Sequence, residues 1–95
     1  MSIPMNEQRQ AFVTTIPSSA TSVTILAANK RRVGATIYND SNQKLYIKFG
    51  TTASSTDYTA QITGPGYYEV PFGYNGRIDG IWASVHGDAH TTEIV

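Results

Sequence analysis

Between Leu45 and Phe49 an apolar side chain falls on every second residue, at Leu45, Ile47 and Phe49, with Tyr46 and Lys48 between them. A β-strand turns successive side chains to opposite faces, so this period buries one face and wets the other. The alternation recurs at Val33, Ala35 and Ile37 and at Tyr68, Val70 and Phe72. No 3.6-residue periodicity persists over three turns, which argues against a long amphipathic helix.

Turn chemistry divides these stretches. Asn39-Asp40-Ser41-Asn42 favours Asx turns and left-handed backbone. Gly73-Tyr74-Asn75-Gly76 ends in the favoured hairpin pair, and His86-Gly87-Asp88 reads as a further hairpin turn. Strands are expected at 22–26, 31–38, 44–49, 58–62, 67–72, 77–85 and 89–95. Pro71 cannot donate to a ladder, so the 67–72 strand is expected to end there or to lie at an edge. Such spacing points to an all-β chain, a single-domain β-sandwich or jelly-roll-like barrel of about 7–8 antiparallel strands. The expected core is Val23, Ile25, Val33, Ile37, Leu45, Ile47, Phe49, Ile62, Val70, Phe72, Ile78, Trp82 and Ile94. Ile81 falls on the opposite face from Ile78 and Trp82, which implies a central strand or a face buried on another subunit.

Residues 1–21 read differently. Met1–Gln10 is polar, Ala11–Ile16 is one extended apolar-rich segment, and Pro17-Ser18-Ser19-Ala20 ends it. The domain expected at 22–95 is thus preceded by an extended N-terminal arm at 1–21. Phe12, Val13 and Ile16 are apolar enough to need a covering surface. That surface is either the chain's own first strand position or a neighbouring subunit.

Charge narrows the function. Seven basic residues balance seven acidic ones, and charged residues make up only 15% of the 95. That balance lacks the basic field that nonspecific nucleic-acid binding needs. It suits a protein packed against copies of itself better than a concentrated free monomer. No apolar run reaches membrane-span length, and the N-terminus reads without a signal-peptide core. There are no cysteines to form disulfides or thiolate metal sites.

Candidate chemistry is sparse. His86, Asp88 and His90 have metal-ligand side chains, and on a turn they either converge on a divalent ion or form a polar loop. No Gly-x-Ser-x-Gly elbow occurs, and Gly64, Gly66, Gly73 and Gly76 lack the context of a phosphate loop. No catalytic residue, cofactor site or metal site is assigned. Six tyrosines are present, with Tyr67, Tyr68 and Tyr74 grouped around one turn. Such rings serve a core, a subunit interface or a sugar-stacking surface. Lys30-Arg31-Arg32 reads as a solvated strand start, or as a partner for Asp40, Asp79 or Glu93 of a neighbour.

The segment from Gly66 through Glu69-Val70-Pro71-Phe72 to Gly80-Ile81-Trp82-Ala83 resembles small virion proteins of tailed bacteriophages, as does Arg31–Gly50 with its Tyr38-Asn39-Asp40-Ser41 turn. The pattern covers about Val23 to Val95 and is similar to that of capsid decoration (cement) proteins. The resemblance implies a β-sandwich or jelly-roll-like fold without enzymatic activity. It also implies a homotrimer on the outer capsid surface, with the major capsid protein as partner and neither nucleic acid nor membrane. The expected location is the virion, after synthesis in the host bacterial cytoplasm. Interface residues are expected at Phe12, Val13 and Ile16 for arm exchange and at Tyr67, Tyr74 and Ile81 for lateral contact. The alternative is a receptor- or carbohydrate-binding module of a tail or fibre, with Tyr67, Tyr74 or Trp82 exposed in a shallow groove.

Overall fold

Eight strands follow one another in a computed structural model that describes residues 8–95: β1 (Ala11–Pro17), β2 (Val23–Leu26), β3 (Gly34–Asp40), β4 (Leu45–Phe49), β5 (Ala60–Ile62), β6 (Gly66–Val70), β7 (Ile78–Trp82) and β8 (Asp88–Ile94). Met1–Glu7, and with them the first part of the expected arm, lie outside the described residues. The strands form two antiparallel four-stranded sheets, ordered β1-β8-β3-β6 and β2-β7-β4-β5. Packed together they make a β-sandwich.

The pairing is that of one long hairpin rolled up. β4 pairs with β5, β3 with β6, β2 with β7 and β1 with β8, as nested rungs. Rolling then brings β3 onto β8 and β4 onto β7. Only the β4–β5 connection joins two strands of one sheet; every other connection crosses to the facing sheet. The segments at 39–42, 73–76 and 86–88 are therefore corners of the sandwich. This corrects the hairpins expected at Asn75-Gly76 and His86–Asp88. At the last corner Gly87 has φ +66°, and a Cβ there would collide with the Asp40 carbonyl, so only glycine fits.

The arm expectation also changes. Residues 11–17 are paired with β8 of the same chain over their whole length, in a register running from Ala11↔Ile94 to Pro17↔Asp88. This stretch is an edge strand of the sandwich, so the boundary expected between 21 and 22 does not separate an arm from a domain. A ladder of backbone hydrogen bonds satisfies a segment too short to build a core of its own.

Ile25, Ile37, Leu45, Ile47, Ile62, Val70, Ile78 and Trp82 are buried between the sheets as expected. Each buried branched chain or ring adds about 1.5–3 kcal/mol relative to exposure. Val23 and Phe49 pack at the margin of this core, half-buried, and Val33 and Ile94 are likewise only partly covered. Phe72 departs from expectation and is 87% exposed. The ladder stops at Val70 before Pro71, so the alternation no longer binds Phe72 to the inner face. Leu26, Ala35 and Ala89 complete the core. β7 is central, between β2 and β4. Its Gly80 lets Ile25 approach so closely that an added Cβ would lie 2.6 Å from Ile25 Cγ1.

Two buried polar side chains tie the layers together. Asn39 of β3 donates from Nδ2 to the Gln43 and Ile62 carbonyls, each at 2.8 Å, and accepts at Oδ1 from Trp82 Nε1 at 3.2 Å. Arg32 is buried. It donates to the carbonyls of Ala27, Tyr74 and Gly76 and pairs with Glu93 of its own chain at 3.4 Å. This corrects the reading of Lys30-Arg31-Arg32 as a wholly solvated run: Lys30 and Arg31 are exposed, and Arg32 is a structural clamp. A buried guanidinium persists because its donors are met by fixed acceptors and a carboxylate.

Candidate interaction face

The outer face of the β1-β8-β3-β6 sheet is the candidate functional surface. None of its four strands contains lysine or arginine. Strand parity decides which side chains face out. Ala35, Ile37 and Asn39 are buried, so Thr36, Tyr38 and Asp40 point outward, joined by Val13, Thr15, Tyr67, Glu69, Asp88, His90, Thr92 and Ile94 across the register. The carboxylates of Asp40, Glu69 and Asp88 give this face acidic character.

One row crosses the whole sheet. Thr15 opposes His90, His90 opposes Tyr38, and Tyr38 opposes Tyr67. Four strands at their ordinary spacing make this row about 14 Å wide. The Tyr38 and His90 rings stack at 6.5 Å and 19°. His90 Nδ1 bonds the Thr15 hydroxyl at 3.1 Å, and its Nε2 lies 3.2 Å from Asp40 Oδ2. Tyr67 donates its hydroxyl to Glu69 at 3.2 Å. Local desolvation, and then that bond and the Glu69 charge, hold the Tyr67 phenol above its ordinary pKa.

The Thr15–His90–Asp40 chain has the atom types of a hydrolytic relay, but it stands on an open sheet face. His90 and Asp40 are substantially solvent-exposed, which screens their charges and excludes no water. Its physical effect is to clip β1 to β8 and β3. His86 turns elsewhere: its Nδ1 meets the Ser41 hydroxyl and the Asn42 amide, each at 3.3 Å. The His86-Asp88-His90 group is thus split. Among the described residues no three His, Cys, Asp or Glu side chains are placed to hold a metal ion.

The six residues expected at interfaces do not converge. Val13 and Tyr67 lie on this face, 69% and 61% exposed. Phe12 and Ile16 have the opposite parity and point toward the inner side of β1, where Ile16 packs on the core. Tyr74 stacks on Phe49 at 4.5 Å and donates its hydroxyl to the Arg77 carbonyl at 2.8 Å. Ile81 is half-buried beside Tyr46 on the other sheet. Sequence reasoning passed over Tyr38 and the place of His90 beside it. The parity that buries Ile37 already turns Tyr38 outward, but its juxtaposition with His90 depends on strand order.

Comparison with protein-family models, curated proteins and solved structures finds no match to this chain.

Proposed function

We propose that this chain is a non-enzymatic structural protein of a tailed-phage virion, a decoration (cement) protein that lies on the outer capsid surface and bridges capsomers. The observation that carries this reading is the broad sheet face just described: its four strands contain no lysine or arginine, and Val13, Tyr38 and Tyr67 are exposed on it. Protein interfaces enrich tyrosine and phenylalanine and deplete lysine. Tyrosine supplies contact area with little rotamer entropy to lose. The rolled-hairpin order is consistent with jelly-roll routing, a design shared by capsid and lectin domains. Such routing supports the reading without fixing it, because one fold hosts many functions. Zero formal net charge removes long-range repulsion between copies, consistent with a homotrimer. Many copies on a lattice would stabilise the shell by avidity.

The test is light scattering across a dilution series, joined to co-sedimentation with shells of the major capsid protein. A stable mass near three chains, or saturable binding to shells, supports the reading. A monomer at every concentration that also leaves shells unbound overturns it. The second reading, a tail or fibre carbohydrate-binding module, loses two of the rings first assigned to it, because Trp82 is buried and Tyr74 is packed on Phe49.

A further inference from the structure

We propose that the cleft between β1 and β2 binds a neutral sugar, at a site separate from the outer face of the sheet. At this end of the sandwich the edge strands of the two sheets stand apart and leave a cavity of about 380 Å³. Small-molecule clefts occupy about 300–1,000 Å³. Phe12, Ile16 and Leu26 give the cavity an apolar wall, and Thr24, Asn29 and Glu93 give it a polar one.

Phe12 and Glu93 are direct cross-strand partners on the inner side of the sheet. An aromatic ring and a carboxylate therefore stand side by side at the mouth of the cavity. Phe12 is 53% exposed although its parity points it inward. The carboxylate is held in place: Oε1 accepts from Asn29 Nδ2 at 3.3 Å and Oε2 from Arg32 Nη1 at 3.4 Å. The Arg31 amide fixes Asn29 in turn through its Oδ1, at 3.0 Å. A carboxylate has about four acceptor positions. Two are used here, so the rest are preoriented for hydroxyl donors.

Charge decides the ligand class. Arg32 is buried and neutralises Glu93 from behind, so the cleft offers a cation little net attraction and an anion none. What fits is an uncharged molecule with one apolar face and a rim of hydroxyls. A pyranose ring has that form. Its C–H face would lie on Phe12, and its hydroxyls would meet Glu93, Asn29 and Thr24.

The test is NMR titration of the full chain with the methyl β-glycosides of glucose, galactose and N-acetylglucosamine. Saturable shifts are expected with at least one glycoside, at the amides of Phe12, Thr24, Asn29 and Glu93. Phe12→Ala is expected to weaken that binding about tenfold or more. Phe12→Leu keeps the apolar bulk of the edge strand and is expected to weaken it as well, with the β4 and β7 amides unshifted as the check on folding. Three outcomes would overturn the proposal. One is no saturable change with any glycoside up to about 50 mM. Another is saturable shifts centred on Tyr38 and Tyr67, and the third is saturation by tetramethylammonium in place of the sugars.

Discussion

On the β2-β7-β4-β5 sheet the outward side chains are covered by another segment of the chain, whereas on the β1-β8-β3-β6 sheet they bond only to one another and to solvent. The difference comes from the connection between β4 and β5. Residues 50–59 fold over the first of these sheets. Thr52 donates its amide to Asp79 at 2.8 Å, Tyr58 packs on Tyr46 at 5.0 Å, and Ala53 is buried. Asp79 also receives Arg77 at 2.7 Å, and Lys48 reaches Asp57 at 2.6 Å. No comparable connection covers the other sheet among the described residues. Tyr38, Tyr67, Asp40, Glu69, Asp88 and Val13 are left facing outward. Among the described residues, one face of the sandwich is closed and the other, whose strands contain no lysine or arginine, is open, so the molecule has a front and a back. Substitutions on the two faces should therefore fail in different ways.

The largest loss of stability is expected where the two sheets are joined. Asn39→Ala leaves Trp82 Nε1 and the Ile62 carbonyl without their buried partner. An unsatisfied buried group costs about 1–3 kcal/mol, so the total is about 3–5 kcal/mol in urea unfolding. A loss under about 1 kcal/mol would mean that the sheets are held by apolar packing alone.

Next comes the closed face. Asp79→Ala removes the acceptor for the Thr52 amide and for Arg77 from a buried position. About 2–3 kcal/mol should be lost, because hydrogen bonds to a buried charge are at the strong end of the range. Hydrogen exchange at Thr52 and Ala53 should quicken. The oligomeric mass and shell binding should not change beyond what lower stability explains. A selective loss of association would break the distinction between the faces.

The bare face should show the reverse pattern. Val13→Lys and Tyr67→Lys place a cation where the four strands have none, at exposed positions. Stability should move by no more than about 0.5 kcal/mol. Association should weaken by about tenfold or more, which corresponds to about 1.4 kcal/mol. If either substitution costs about 2 kcal/mol of stability with association intact, the face is structural and the comparison fails.

These contrasts show which parts of the molecule were legible in the sequence. Leu45, Ile47, Ile37 and Ile78 could be placed because burial follows a two-residue period that needs no tertiary information. The routing could not be read. Asn75-Gly76 has the same local chemistry whether the chain returns to its own sheet or crosses to the facing one, and here it crosses. Phe72 escapes the alternation because it lies two residues past the last ladder pair at Val70. Arg32 could not be separated from Lys30 and Arg31 by composition, since its burial depends on the Tyr74 and Gly76 carbonyls brought in from a distant corner, beside the nearby Ala27 carbonyl. Part of the candidate face was within reach, because the alternation that buries Ile37 already turns Tyr38 outward, but the row from Thr15 to Tyr67 exists only once β1, β8, β3 and β6 lie side by side.

The smallest expected effect separates two explanations of how the closed face is held. Lys48 and Asp57 form the shortest ion pair of the 50–59 cover, at 2.6 Å, yet the Asp57 side chain is 66% exposed. Exposed pairs contribute about 0–1 kcal/mol, because water screens the attraction and two side chains must be ordered to make it. Asp79 differs in being buried and in binding a backbone amide of the cover. Lys48→Ala should therefore cost about 0.5 kcal/mol or less, and raising the salt concentration should leave the stability of the unaltered protein nearly unchanged. Together with a large effect at Asp79, that result assigns the closure to the buried carboxylate. A loss above about 1.5 kcal/mol for Lys48→Ala would assign it to surface charge instead. The covered face would then loosen with salt, and the contrast between a fixed back and an open front would hold only at low ionic strength.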